Sequence, residues 1–317
     1  MSQEQATNKK AILVVSFGTS YPETLKLNIE SVENRIREAF PGYEVRRAFT
    51  SRTVIKRIAE RDGVQIDNER QALERLHTEG YQEVYLQPLH IVPGAEYDKV
   101  KRLVSHYAHA KEKAFATIRL GRPLLYSMGV DDHPDDYEIA IRALVHQLPA
   151  AAPDKAVVLM GHGGIHPGNA AYAALQLKLE EAGLNNVFIY TVEGFPSLES
   201  IIGKLKQKQV KQVTLMPFLL VAGDHATNDM AGEEEDSAKS QLAAAGFAVD
   251  VYFHGLGENT AIQDIYVAHL RSAIAHPPHG HVCAHGHGHH HKGHCHTHAH
   301  GHGHKGHCHG NGHGHKD

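Results

Sequence analysis

Two histidines and a glutamate in the second half of the chain have the side chains of a metal site. His162, Glu193 and His225 each follow an apolar run that predicts a buried strand. Two imidazoles and a carboxylate can bind a borderline divalent ion such as Zn²⁺, Co²⁺, Ni²⁺ or Fe²⁺ and leave coordination positions open. Open positions favour metal transfer or catalysis over a closed structural site.

Each candidate ligand also has an ordinary structural interpretation. A single histidine after a strand is commonly a surface or capping residue, and Glu193 could cap the predicted helix Leu198–Gln207. The Gly-His-Gly-Gly turn at 161–164 could bind phosphate, but it lacks the Lys-Ser/Thr pair of a P-loop. Because three candidates fall at three strand ends, we favour a shared metal site.

The chain contains an internal duplication. When the two halves are aligned on Pro88 and Pro217, Glu96 and His225 fall at the same position of the repeated unit. Other equivalent strand ends are Phe17-Gly18 with His162-Gly163, and Thr50 with Glu193. The same α/β unit therefore carries candidate polar residues at matching loop positions.

Strands alternate with helices throughout residues 10–275, which predicts parallel sheets with helices on both faces. The predicted strands are 11–17, 44–49, 83–89, 116–120, 155–160, 187–192, 212–217 and 247–253. The predicted helices are 22–40, 53–59, 68–79, 97–113, 135–147, 169–182, 198–207, 236–245 and 260–275. We assign 1–135 to an N-terminal α/β lobe and 136–275 to a C-terminal α/β lobe.

The position of the candidates at strand ends predicts where a ligand would bind. Open parallel sheets bind ligands beyond the carboxyl ends of their strands. His162, Glu193 and His225 should therefore share one edge of the C-terminal sheet. Two lobes that face one another would enclose a cleft, and Glu96 would enter it from the opposite side.

Composition separates a third segment, residues 276–317, from the globular part. This tail holds 18 of the 29 histidines and all three cysteines, Cys283, Cys295 and Cys308. It has almost no apolar side chains, so we expect it to be disordered without metal. The motif His-Lys-Gly-His-Cys-His occurs at 291–296 and again at 304–309. Such ligands predict a metal store, with an intrinsic preference for Cu²⁺, Ni²⁺ or Zn²⁺ over Co²⁺.

The charge and the cysteine distribution limit the possible partners and the compartment. Net charge is −4 and no basic stripe is present, which argues against a nucleic-acid partner. The globular part has no cysteine, and the N-terminal apolar run is too short for a signal peptide or a membrane span. We expect a cytoplasmic protein without a membrane partner. The sequence leaves open whether the protein forms a homo-oligomer.

Five strings of residues carry a resemblance to a known family. They are LVVSFGTSY at 13–21, RAFTS at 47–51, LHI at 89–91, MGHG at 160–163 and LLVAGDHATNDM at 219–230. Over about residues 11–275 the chain resembles the anaerobic cobalt chelatases, which are similar to the class II chelatases that include ferrochelatase. The resemblance implies a bilobal fold, a tetrapyrrole cleft and insertion of Co²⁺ into sirohydrochlorin during cobalamin synthesis. It also implies that His162, Glu193 and His225 hold the metal, with Glu96 facing it.

The implied reaction makes chemical sense for these side chains. Metallation removes two pyrrole N–H protons, and neutral imidazoles can bind the ion or accept a proton near pH 7. We expect catalytic roles for His162, Glu96 and His225. Because the substrate is a polycarboxylate, hydrogen-bond donors at strand ends should hold its rim. The candidates are Ser16, Thr19, Ser20, Arg52 and the amides of Gly163 and Gly164.

Two other functions stay open from the sequence. One is insertion of Ni²⁺ or Fe²⁺ into the same ring. The other is a non-catalytic metal chaperone or buffer, in which the globular part binds a tetrapyrrole without turnover. The presence of His162, Glu193, His225 and Glu96 together argues for an enzyme.

Overall fold

Eight strands form two parallel sheets of four strands each. The computed structural model describes residues 8–110 and 114–275. The first sheet contains β1 (Lys10–Ser16), β2 (Glu44–Phe49), β3 (Glu83–Pro88) and β4 (Thr117–Leu120), in the order β2-β1-β3-β4. The second contains β5 (Lys155–Gly163), β6 (Val187–Glu193), β7 (Gln212–Pro217) and β8 (Ala248–Val251), in the order β6-β5-β7-β8. The prediction of two similar parallel-sheet lobes is confirmed.

Helices connect the strands and cover both faces of each sheet. In the first half they are α1 (Pro22–Thr24), α2 (Ser31–Ala39), α3 (Arg52–Asp62), α4 (Glu69–Thr78) and α5 (Ala95–His109). The later helices are α6 (Asp136–Val145), α7 (Ala170–Glu181), α8 (Leu198–Gln207), α9 (Ala238–Ala244) and α10 (Thr260–Ala275). A π-helical segment, Leu25–Glu30, joins α1 to α2, and a second one, Ala226–Met230, follows β7.

The central strands are apolar because helices cover them on both sides. Residues 11–16 of β1 and 156–161 of β5 are buried without the alternation of a strand that faces water on one side. One buried cluster lies on one face of β1 and includes side chains from both halves, such as Ile12, Leu159 and Leu270. Burial of these runs at the middle of each sheet fixes the strand ends that carry the polar loops.

The duplication extends to individual glycines. Gly18 and Gly163 both adopt a left-handed backbone, with φ of +93° and +84°. A Cβ atom at Gly18 would lie 2.5 Å from the Phe49 ring, and one at Gly163 would overlap the Glu193 carbonyl oxygen. Each glycine therefore lets the end of a central strand approach the end of its neighbour closely.

The last helix returns to the first sheet. The Tyr266 hydroxyl on α10 donates to the Leu89 carbonyl oxygen over 3.2 Å. Arg119 on β4 donates to the carbonyl oxygens of Ala273 and Ile274 at 3.3 and 2.8 Å. Helix α10 thus covers part of the first sheet, although the sequence analysis assigned residues 136–275 to the C-terminal lobe.

Element boundaries differ from the predictions in a few places. The predicted helix 22–40 is interrupted by the π-helical segment, and the predicted helix 97–113 ends at His109. The predicted strand 247–253 is reduced to Ala248–Val251, and β5 extends to Gly163. The tail at 276–317, with its two repeats, lies outside the described residues. Within the described residues, no helix is long and apolar enough to cross a membrane.

Candidate functional site

A cavity of about 700 Å³ lies between the carboxyl ends of the two sheets. Its walls come from the segments that follow β1, β2 and β3 in the first lobe, and β5, β6 and β7 in the second. These are equivalent positions in the two repeats, and they are where open parallel sheets bind ligands. His162, Glu193 and His225 line the second-lobe wall, and Glu96 lines the first-lobe wall.

His162 and His225 are in direct contact. Their ring centroids are 4.5 Å apart and the rings are nearly perpendicular, at 83°. Nδ1 of His162 lies 3.2 Å from the Gly163 carbonyl oxygen, and Nδ1 of His225 lies 2.7 Å from Oδ2 of Asp229. An acceptor beside Nδ1 places the proton there, which leaves the Nε2 lone pair for another ligand. The two imidazoles are thus held as a pair that can bind a metal ion.

The end of β5 places His162 beside Glu193. Gly163 pairs with Glu193 in the β5–β6 register, and the Gly164 amide donates to the Glu193 carbonyl oxygen over 2.8 Å. Only glycine fits at Gly163, because any Cβ would overlap that carbonyl. The Gly164 amide is therefore used within the protein and is not available to a substrate, unlike the expectation from the sequence.

His225 lies at the start of the π-helical segment Ala226–Met230. Asp229 follows it by four residues and reaches its ring from the same turn. Such π-helical turns occur often at functional sites, because the extra residue in the turn re-aims the side chains around it. Here the turn supplies both the histidine and the carboxylate that orients it.

Glu96 belongs to the first turn of α5, across the cavity from the histidine pair. Lys99 Nζ lies 3.9 Å from Oε2 of Glu96 and 3.1 Å from Oε1 of the buried Glu69. The same ammonium group donates to the Thr50 carbonyl oxygen over 3.1 Å. Lys99 therefore ties the Glu96 carboxylate to the end of β2 and to the start of α4.

His90 contributes a neutral imidazole to the same wall. Both of its ring nitrogens are shielded from solvent and have no hydrogen-bond partner among the described residues. Burial lowers the pKa of His90 to about 4, and the charge of Lys99 adds to the shift. The ring stays uncharged at neutral pH, so it adds no repulsion to an incoming cation.

Two polar contacts join the lobes near the cavity. The Tyr21 hydroxyl donates to Oδ1 of Asp224 over 3.1 Å, and Nε2 of His166 lies 3.2 Å from Oδ2 of Asp98. The hydrogen bond to Asp224 is the main cause of the raised pKa of Tyr21. Each contact connects a loop of one lobe to the other lobe, so both help to hold the walls at a fixed separation.

The three predicted metal ligands are not gathered as a complete set. Across residues 8–110 and 114–275, no three His, Cys, Asp or Glu side chains are grouped closely enough to hold an ion. The histidine pair is formed, whereas the Glu193 side chain is exposed at the cavity wall.

Comparison with known proteins identifies the family. The cobalt chelatase (CbiK) family model matches residues 10–275. Sirohydrochlorin cobaltochelatase from Salmonella typhimurium is 42% identical over 266 residues, which cover 84% of this chain and 97% of that protein. Sirohydrochlorin cobaltochelatase CbiKC from Nitratidesulfovibrio vulgaris is 38% identical over 277 residues, which cover 86% of this chain and 93% of that protein. This chain belongs to the cobalt chelatase family.

Solved structures support the same fold for this chelatase. SirB from Bacillus subtilis with Fe³⁺ superposes with a TM-score of 0.56 at 16% identity, covering 84% of this chain and 96% of that one. DR2241 from Deinococcus radiodurans, a multi-domain protein with similarity to chelatases, gives a TM-score of 0.51 at 18% identity. It covers 83% of this chain and 55% of that one. At these identities the likeness concerns the fold alone.

The rim candidates of the chelatase are only partly at the cavity. Ser16, Thr19 and Ser20 line it, as does Gly163, whereas Arg52 is exposed and does not. Arg57, further along α3, lines the cavity instead. Arg52 is the first residue of that helix, and the five-residue separation turns the two side chains to different faces.

Sequence reasoning missed several residues of the site. The spacing of His225 and Asp229, four residues apart, could have indicated their contact. The sequence analysis quoted His90 only as part of the LHI string at 89–91 and predicted no role for it. The partners in the contacts Tyr21–Asp224 and Asp98–His166 are far apart in the chain, and nothing in the sequence marks them as neighbours.

Proposed function

We propose that this chelatase inserts Co²⁺ into sirohydrochlorin. The observation that carries the proposal is the pair His162 and His225, with Nδ1 of each ring occupied and Nε2 left to bind metal beside a tetrapyrrole-sized cavity. The names of the two relatives, both sirohydrochlorin cobaltochelatases, support the same substrate and metal.

In the proposed reaction, His162 and His225 present the ion from the second-lobe wall. Neutral imidazoles are good ligands for Co²⁺, and they compete with its water shell without adding charge. Glu193, on the same wall, balances part of the positive charge of the ion. Only two or three protein ligands are used, so the pyrrole nitrogens can replace them one at a time.

Proton removal uses both walls of the cavity. Co²⁺ replaces two pyrrole N–H protons, so two protons must leave the ring for each ion that enters. We assign the first proton to the Glu96 carboxylate, which lines the first-lobe wall of the cavity. The second goes to His162 or His225 once that imidazole has released the ion to the ring. Serine and threonine hydroxyls of Ser16, Thr19 and Ser20 would hold the rim.

Metallation of the ring by the purified protein tests this proposal. The protein is incubated without oxygen with sirohydrochlorin and Co²⁺, Ni²⁺ or Fe²⁺ in turn, and the absorbance change on metallation is followed. We expect the highest kcat/KM with Co²⁺. A higher value with Ni²⁺ or Fe²⁺ would reassign the metal, and binding of the ring without metallation would support the chaperone or buffer function.

We also propose that the tail at 276–317 serves in metal storage or in delivery of metal to the cleft. Its support is composition, since 18 histidines and three cysteines occur there. Metal ligands tethered to the enzyme raise the metal concentration near the cavity. Because soft and borderline ions such as Ni²⁺ and Zn²⁺ also bind such ligands, the tail does not select Co²⁺.

A further inference from the structure

The cavity wall is mostly negative and would repel a polycarboxylate substrate. One residue of the wall, Arg57, carries the opposite charge. The wall carries three carboxylates, those of Glu96, Glu193 and Asp224. Such a wall attracts a divalent cation but repels the acetate and propionate chains of a tetrapyrrole. Among the described residues that line the cavity, Arg57 is the single arginine or lysine.

Arg57 is placed to meet a ligand rather than another residue. The Arg57 side chain is exposed. Among the described residues it forms no side-chain hydrogen bond or ion pair, whereas Lys56 and Arg61 on the same helix do. Lys56 pairs with Glu60 at 3.6 Å, and Arg61 pairs with Asp62 at 2.6 Å. An exposed guanidinium on a cavity wall without an acidic partner is available for a carboxylate, which it can bind through two parallel N–H···O contacts.

Thr53 provides a second donor on the same side of the helix. It precedes Arg57 by four residues, so the two side chains share one face of α3, and both line the cavity. The charge of Arg57 also acts on the Tyr21 hydroxyl, which spans the lobes to Asp224. The guanidinium therefore lies on the Tyr21 side of the cavity.

Apolar side chains at the cavity favour binding of the tetrapyrrole ring inside it. Phe17 and Ile165 are both exposed, and they line the cavity from the first and second lobes. Exposed apolar groups on facing walls suit the flat faces of a macrocycle. A ring held in this way would direct its charged chains away from the three carboxylates.

We propose that Arg57, assisted by the Thr53 hydroxyl, binds a peripheral carboxylate of the tetrapyrrole and so sets which edge of the ring faces α3. This inference rests on the proposed function, because it takes the substrate to be an acidic tetrapyrrole. Arg57 is a specificity-determining residue in this scheme and takes no part in proton or metal transfer.

Kinetics of the Arg57→Ala variant of the full chain test the inference, with Lys56→Ala as the matched control. Lys56→Ala removes one positive charge from the next position of α3 but outside the cavity. We expect Arg57→Ala to raise the KM for sirohydrochlorin about tenfold, the scale of one hydrogen-bonded charge pair. The kcat and the KM for Co²⁺ should not change, Arg57→Lys should recover part of the loss, and Lys56→Ala should match the wild type.

Binding of metal-free sirohydrochlorin, followed by its fluorescence, separates this inference from the proposed function. If the wild type binds the ring but does not metallate it, the proposed function fails while the binding comparison still tests Arg57. Weaker binding by Arg57→Ala, with a smaller loss of affinity at high salt than the wild type shows, supports the contact. Equal binding by the two proteins overturns it, and so does a lowered kcat with an unchanged KM for the ring.

Discussion

Asp229 gives the sharpest test of the histidine pair, because its only described contact with the site is a hydrogen bond to His225. Oδ2 of Asp229 lies 2.7 Å from Nδ1 of His225. This contact holds the proton on Nδ1 and turns Nε2 away from Asp229. In Asp229→Ala, the ring can rotate and can exchange tautomers, so Nε2 is correctly presented for a smaller fraction of the time.

The size of the effect follows from exposure. Carboxylates that orient a metal-binding histidine typically change metal affinity or activity by about 10- to 100-fold. The His225 and Asp229 side chains are 37% and 44% exposed, so solvent weakens their interaction. We therefore expect the low end, about a tenfold loss of kcat/KM for Co²⁺, which corresponds to about 1.4 kcal/mol. Asp229→Asn should lose less, because its amide oxygen can still accept from Nδ1.

The assay is anaerobic metallation of sirohydrochlorin at limiting Co²⁺, with thermal unfolding of each variant measured in parallel. Asn228→Ala is the matched control, because Asn228 lies on the same π-helical segment but contacts Asp224 instead of His225. Both variants should unfold at nearly the wild-type temperature, since both side chains are exposed. Wild-type kcat/KM in Asp229→Ala, or the same loss in Asn228→Ala, would refute the orientation argument.

Three further changes test the rest of the site. His225→Ala should lower the metallation rate about 100-fold or more, which is the scale of a lost catalytic group, and should not unfold the protein. Near-normal turnover of this variant at limiting Co²⁺ would exclude His225 as a ligand. Glu96→Gln should slow insertion more than it weakens Co²⁺ binding measured by calorimetry, and a complete loss of metal binding would make Glu96 a primary ligand. Deletion of 276–317 should leave turnover at saturating Co²⁺ nearly unchanged but should remove most of the metal capacity counted by equilibrium dialysis. A folded but inactive truncated protein would instead place the tail in the catalytic path.

Much of the fold was predictable from local patterns. The strands Glu44–Phe49 and Gln212–Pro217 and the helices Leu198–Gln207 and Thr260–Ala275 have the predicted bounds. Short apolar runs and amphipathic segments are encoded by neighbouring residues, so the sequence displays them directly. The equivalence of Glu96 and His225 was also visible, because a duplicated unit repeats its loop lengths.

Boundaries that depend on non-standard turns were not predictable. The sequence gives no sign that Leu25–Glu30 and Ala226–Met230 are π-helical, which is a rare conformation that occurs mostly as single turns. The packing partner of α10 was not predictable either. Its apolar residues indicate a buried helix, but only the assembled chain decides that it packs on the first sheet and contacts Leu89.

The residue types of the site come from the sequence, whereas their geometry comes from the tertiary structure. Strand-end reasoning selected His162, His225 and Glu96, since parallel strands bring their carboxyl ends to one edge. It did not separate Arg52 from Arg57, because which face of α3 meets the cavity depends on how that helix packs. It also could not pair Tyr21 with Asp224, whose contact spans 203 residues of the chain. Side-chain chemistry is a local property, but contacts between the lobes arise only when both sheets are packed together.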